Sequence, residues 1–113
     1  MKTISEIISL EELKKMGEER FGIMVKAVVD VEKEIMSVDA ELHSDEEAAL
    51  LENGSRQENL WGINIYPELR EDDWIEFDSM INLRPSQGNR TRGVDNPEIR
   101  RKIIDIVNKL VKR

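Results

Sequence analysis

Apolar and polar residues alternate with a period of two in four stretches of the chain. In the first, Val25, Ala27, Val29 and Val31 alternate with Lys26, Val28 and Asp30. After Glu32-Lys33-Glu34, Met36, Val38, Ala40 and Leu42 alternate with Ser37, Asp39 and Glu41. This period, with its β-branched residues, predicts strands over 23–31 and 35–42 joined as a hairpin. A third strand is predicted over Leu60–Tyr66, with Trp61, Ile63 and Ile65 inward and Pro67 ending it. An acidic turn over Glu68–Asp73 leads to the fourth and longest, Trp74–Leu83. There Ile75, Phe77, Ile81 and Leu83 share one face, and Glu76, Asp78, Met80 and Asn82 the other. Residues Lys2–Ile8 predict a short edge strand.

Helical spacing appears between these runs. Ser9 and Glu12 form a capping box, in which each side chain answers an orphan backbone donor of the other. Leu10, Leu13 and Met16 make the stripe behind it, which fades at Phe21-Gly22. Ser44 and Glu47 form a second such box, and Ala48–Leu51 continue a short helix that stops at Gly54. The last helix opens at Asp95-Asn96-Pro97-Glu98, because proline is tolerated in a first turn and acidic residues suit the positive end of the helix dipole. Its stripe is Ile99, Ile103, Ile106, Val107 and Leu110.

The resulting order is (β)αββ(α)ββα. Two hairpins predict an antiparallel sheet of four or five strands, with helices packed mainly on one face. The fold class is α+β, a two-layer sandwich. Its second sheet face, including Val28, Ile35, Met80 and Tyr66, is expected to be polar or covered by another subunit. A homodimer is the expected assembly, since a mixed face or free edge can pair with a second copy.

Length and charge narrow the classes. The 113 residues suit one domain, and a core of that size needs no covalent staples. With no cysteine, disulfides, thiolate metal sites and cysteine nucleophiles are excluded. A formal charge of −7 argues against general nucleic-acid binding, which is driven by phosphate contacts. No apolar run approaches a membrane span, and the charged residues of the first segment argue against a secretion signal. A cytoplasmic protein is expected. The Asn-X-Ser/Thr triplets at Asn53 and Asn89 are read as chance matches.

Against this acidic background, Ser79–Val94 contains no Asp or Glu and carries Arg84, Arg90 and Arg92. Three arginines in a polar loop before a helix suit bidentate recognition of an anion, with Gly88 and Asn89 letting the backbone approach. The expected ligand is a small anionic molecule or an acidic segment of a partner protein. The opposing reading is that these arginines pair with surplus carboxylates. Spacing from Gly88 to Gly93 resembles the start of a P-loop, but Val94-Asp95 replaces its Lys-Ser/Thr, so that motif is rejected.

A second candidate is carboxylic. If the strand registers align, Asp39, Glu41, Glu76 and Asp78 share a face, which Lys26, Asp30, Asn64 and Asn82 can join. Such a set suits Mg²⁺ or Mn²⁺ and a hydrolase or phosphoryl-transfer reaction. The opposing reading is an ordinary solvated sheet face. His43, the single histidine, is the third candidate, as an acid–base or one metal ligand beside Glu41, Glu46 or Glu47. Multi-histidine metal sites are impossible, and no nucleophile-elbow motif supports a Ser-His-Asp arrangement.

Three blocks carry a resemblance: Ala40–Glu47, Leu60–Asn64 and Ile81–Arg90. They resemble an uncharacterised family of small prokaryotic proteins, a domain of unknown function. That resemblance implies no activity, cofactor or catalytic residue.

Overall fold

A computed structural model describes residues 1–113, apart from the side chains of Glu71 and Asp72. The elements run β1 (Lys2–Ile4), β2 (Ile8–Ser9), α1 (Leu10–Arg20), β3 (Val25–Asp30), β4 (Ile35–Val38), α2 (His43–Glu52), β5 (Leu60–Ile65), β6 (Ile75–Glu76), α3 (Pro97–Leu110) and β7 (Val111–Lys112). Five strands form one antiparallel sheet in the order β1-β4-β3-β5-β6. The fold class is α+β. A small parallel pair, β2 with β7, ties the start of α1 to the end of α3. None of the described helices is long and apolar enough to cross a membrane.

Period two divides the sheet into two faces. Ala27, Val29, Met36, Val38, Ile63 and Ile65 pack against Leu13 of α1 and Ile103, Ile106, Val107 and Leu110 of α3. This is the main core, and the helix stripes cover it as their spacing predicts. The other face differs from the expectation of a bare polar surface awaiting a second subunit. There Val28 and Leu60 pack on Leu50 of α2, with Ile35 and Ile81 alongside. The turn after β4 sends the chain across this face. Asp39 takes φ 65°, so the expected strand over 35–42 ends at Val38.

The caps are also instructive. Ser9 Oγ accepts from the Glu12 N–H at 3.1 Å, but the Glu12 carboxylate turns to Lys2 Nζ at 2.8 Å, so half of the box forms. The box at Ser44 and Glu47 does not form. α2 begins one residue earlier, at His43, and its N-cap is Leu42, which offers no side-chain acceptor. At α3, Asn96 Oδ1 accepts from Glu98 N–H at 2.8 Å, and Pro97 stands in the first turn.

The largest departure lies in the expected strand over 74–83. Only Ile75–Glu76 pairs with β5. Beyond it, Ser79 caps a single 3-10 turn over Met80–Asn82. The freed edge of β5 is closed by a side chain instead. Asn82 accepts from Gly62 N–H at 2.8 Å and donates back to Gly62 O at 2.9 Å, the same pair of bonds that a neighbouring strand would supply. Gly62 is required here, since a Cβ would lie 2.5 Å from Ser79 Oγ. The acidic linker becomes a turn and a 3-10 helix over Glu71–Trp74, while the Glu71 and Asp72 side chains lie outside the described residues. Trp74 is core, with Arg113 stacked on its ring.

Candidate functional site

The arginine loop is held by its own polar groups. Arg84 and Asn89 exchange backbone hydrogen bonds around a turn that closes at Gly88 with φ 85°. Buried Asn89 donates through Nδ2 to Asn82 O, Thr91 O and Gly93 O, and its Oδ1 accepts from Asp95 N–H. Asp95 in turn accepts from Thr91 Oγ1–H at 2.6 Å and Arg90 N–H at 2.9 Å. Those two donors, the Thr91 hydroxyl foremost, hold the Asp95 carboxyl below its ordinary pKa.

Its guanidinium groups do not converge. Arg84 stacks 4.3 Å from the Trp61 ring centre and donates to Gln57 O and Leu60 O at the start of β5. Half-burial lowers its pKa, with Glu47 opposing. Arg92 pairs with Asp78 at 2.7 Å, near the other end of β5. Four residues of strand separate these ends, about 13 Å. Arg90 stays at the surface. Arg84 and Asn82 together satisfy the open edge of β5, so much of this segment acts as a clasp.

The four carboxylates also fall into two sets. Asp39 pairs with Arg20 at 3.1 Å and with the Met1 amino group at 3.8 Å, while exposed Glu41 lies 4.0 Å from Arg20. Glu76 and Asp78 are on and just after β6. β4 and β6 are three strand spacings apart, about 14 Å. Among the described residues, no group of three or more His, Asp or Glu could hold a metal ion. The Mg²⁺ or Mn²⁺ reading therefore lacks the shared face it requires. Asp30 is likewise occupied. It caps the β3–β4 turn through Glu32 and Lys33 N–H and accepts from Ser55 Oγ–H at 2.6 Å.

A cleft of about 210 Å³ lies where α2 begins. Lys26 from β3, Asn64 from β5, His43 and Ser44 from α2, and Asp78 and Arg92 from the clasp line it. Leu42 and Met80, both exposed, add apolar lining. His43 is buried, with Nε2 2.8 Å from Ile63 O. Since a carbonyl only accepts, Nε2 carries the proton and Nδ1 keeps a lone pair. Burial, more than anything else, pushes the His43 pKa below its ordinary value and Lys26 adds to this, against the Ile63 carbonyl, the Asn64 side chain and Asp78, which favour the charged ring. The imidazole is therefore neutral at pH 7.

Asn64 forms the other wall. Its Nδ2 donates to Glu76 Oε1 at 2.9 Å and to Asp78 O at 3.3 Å, and Tyr66 Oη–H donates to the same Glu76 oxygen. Those acceptors fix the amide orientation. Asn64, only 8 % exposed, also has its side chain against the His43 imidazole, where it favours the protonated ring. The first turn of α2 lacks a side-chain cap, so its leading N–H groups also want an acceptor. Lys26 stands 5.3 Å from the centre of the Phe21 ring and lines the same cleft.

Sequence reasoning named His43, Lys26, Asn64, Asp78 and Arg92 but distributed them among three separate candidates. The missed features are the uncapped start of α2, with Ser44 in it, and the meeting of Asn64 with His43. Leu42, a poor N-cap residue directly before His43, was the available signal for the first.

The chain belongs to the family described as Protein of unknown function (DUF5674), whose model matches residues 2–110. No curated protein and no solved structure matches it. Membership thus leaves the function unknown.

Proposed function

We propose that this protein is a non-catalytic binding protein for a small anionic molecule, held in the cleft at the start of α2. The observation that carries this reading is a cleft lined by Lys26 and Arg92 into which the uncapped N-terminus of α2 opens. Helix N-termini favour anions through oriented N–H groups and the dipole. Lys26 adds a full positive charge. Among the loop arginines, Arg92 contributes here, whereas Arg84, Gly88 and Asn89 hold the clasp and Arg90 remains free at the surface.

Size favours a small molecule over an acidic peptide segment. The cleft volume is about 210 Å³, which suits a small molecule. The sheet face that motivated a dimer is covered by α2, so the reading is made for a single chain.

Calorimetric titration with acetate and with phosphate tests this. Lys26→Gln is expected to weaken binding about fivefold, the equivalent of one water-screened charge contact near 4 Å. Arg90→Gln is expected to leave affinity unchanged. Loss of binding in the Arg90 variant with none in the Lys26 variant would return the site to the loop.

A further inference from the structure

We infer that the protein has a second binding cleft, apart from the one at α2, which takes a small organic dianion, a phosphomonoester or a dicarboxylate. The cleft measures about 460 Å³ and lies between α1, the turn after β5 and the residue following β7. It shares no lining residue with the cleft at α2.

Three parts of the chain bring its side chains together. The parallel pairing of β2 with β7 sets Lys112 beside Ser9, so Arg113 emerges beside Leu10, the first residue of α1. Lys14 stands one turn further on, on the same side of the helix. Across from them, Pro67 takes the second position of a β-turn that Leu69 N–H closes on Tyr66 O at 3.0 Å. That turn carries Glu68, and Arg70 follows it. Leu10 and the buried Pro67 supply apolar wall for the carbon part of a ligand.

Positive charge prevails here, although the chain as a whole is acidic. Lys14, Arg70 and Arg113 line the cleft, with Glu68 the one carboxylate among its described lining residues. Glu11 and Glu18 stand three and four residues from Lys14, within the ordinary reach of a helix ion pair. Lys14, like Arg70 and Arg113, nevertheless joins no ion pair among the described residues. It is half-buried and lines the cleft instead. Arg113 stacks its guanidinium 4.3 Å from the centre of the Trp74 ring. Stacking uses the flat face of the group and leaves its in-plane N–H donors for an oxyanion. Three cations against one carboxylate leave two positive charges, which a dianion answers and a monoanion does not.

The isotope-labelled protein is titrated at pH 8 with phenyl phosphate, phthalate and benzoate, three probes that share one ring, while the backbone amides are followed by NMR. A phosphomonoester is dianionic there, since its second pKa is about 6. Phenyl phosphate or phthalate is expected to bind at least tenfold more tightly than benzoate, with saturable shifts at the Leu10, Lys14, Glu68 and Arg70 amides. The tighter of the two identifies the anionic group. Lys14→Gln is expected to weaken that binding about fivefold, the equivalent of one water-screened charge contact near 4 Å. Lys15→Gln, next in sequence but outside the cleft, should leave it unchanged. Equal affinity for the three probes, equal weakening by the two variants, or no saturable shift in this region overturns the proposal. Shifts confined to His43 and Ser44 also overturn it, and leave anion binding at α2 standing.

Discussion

In the segment from Arg84 to Asp95, the side chains of Asn89, Thr91 and Asp95 end on neighbouring groups, while the cleft beside α2 opens onto a helix start with no side-chain cap, lined by Lys26 and Arg92. The first region is the more polar in sequence and the more conspicuous in charge. It is nevertheless held largely by its own groups, since apart from Arg84 Nε most of its donors and acceptors close on one another and on the edge of β5. Density of polar residues therefore says little about ligand binding. What distinguishes the cleft is a helix start without a side-chain cap, open beside two cations.

The strongest test of the self-contained region is Asn82→Ala. Removing the amide strands Gly62 N–H and Gly62 O in a buried environment, while Arg92 O keeps the Ser79 N–H. At about 1–3 kcal/mol for each buried orphan, a loss of about 4 kcal/mol is expected in urea unfolding. A loss below about 1 kcal/mol would mean that the clasp does not hold the sheet edge.

On the α2 side, Glu46 is fully buried, its Oε2 accepting from Ala40 N–H at 3.1 Å and its Oε1 unpartnered. Burial pushes its pKa up to about 9 from an ordinary 4.5, so the folded protein holds a neutral acid at pH 7. The folded state then binds a proton that the unfolded chain has released. Stability from this group is full below pH 4.5 and falls as pH rises toward 9. Glu46→Gln removes that slope and is expected to gain about 3 kcal/mol at pH 7, 2.5 pH units above the ordinary 4.5 at about 1.4 kcal/mol per unit, and nothing at pH 4. His43 has the opposite sign: its neutral form supports folding above its ordinary value of 6.5, and that support is lost as pH falls below it. Identical pH slopes for Glu46→Gln and the parent would contradict the buried-acid account.

Gly62→Ala comes next. Its methyl would meet Ser79 Oγ and Cβ, and overpacking of this kind costs about 2 kcal/mol. Adding Ser79→Gly removes the obstructing atoms and should restore at least half of the loss in thermal unfolding. Failure of that rescue would place the strain elsewhere. The smallest effect belongs to Arg90→Gln, which should shift stability by no more than about 0.5 kcal/mol, as an exposed surface change does. A larger loss would show that Arg90 also belongs to the clasp.

Much of the fold was legible in the sequence. The β3–β4 hairpin, the stripes of α1 and α3, and the antiparallel sheet follow from periodicity alone. The strand expected over 74–83 was not, because period two records where side chains point and not what pairs the backbone. Asn82, a polar residue between Ile81 and Leu83, replaces the missing strand with its amide, and its glycine partner is 20 residues away. The cover on the second face was also hidden. Asp39 turns left-handed after Val38, and nothing in Ser37-Val38-Asp39-Ala40 announces that turn. The members of the cleft were visible one by one. Their meeting depends on the register that sets Lys26 opposite Asn64 and on α2 crossing the sheet, and neither can be read from local spacing.

The central claim, that the binding site lies at the start of α2 and not in the arginine loop, is tested most directly by mapping amide shifts during a glycolate titration. The account predicts saturable shifts centred on His43, Ser44 and Asn64, with the Arg84–Arg90 amides unmoved. Shifts centred on Arg84–Arg90, with the α2 N-terminus silent, would contradict it.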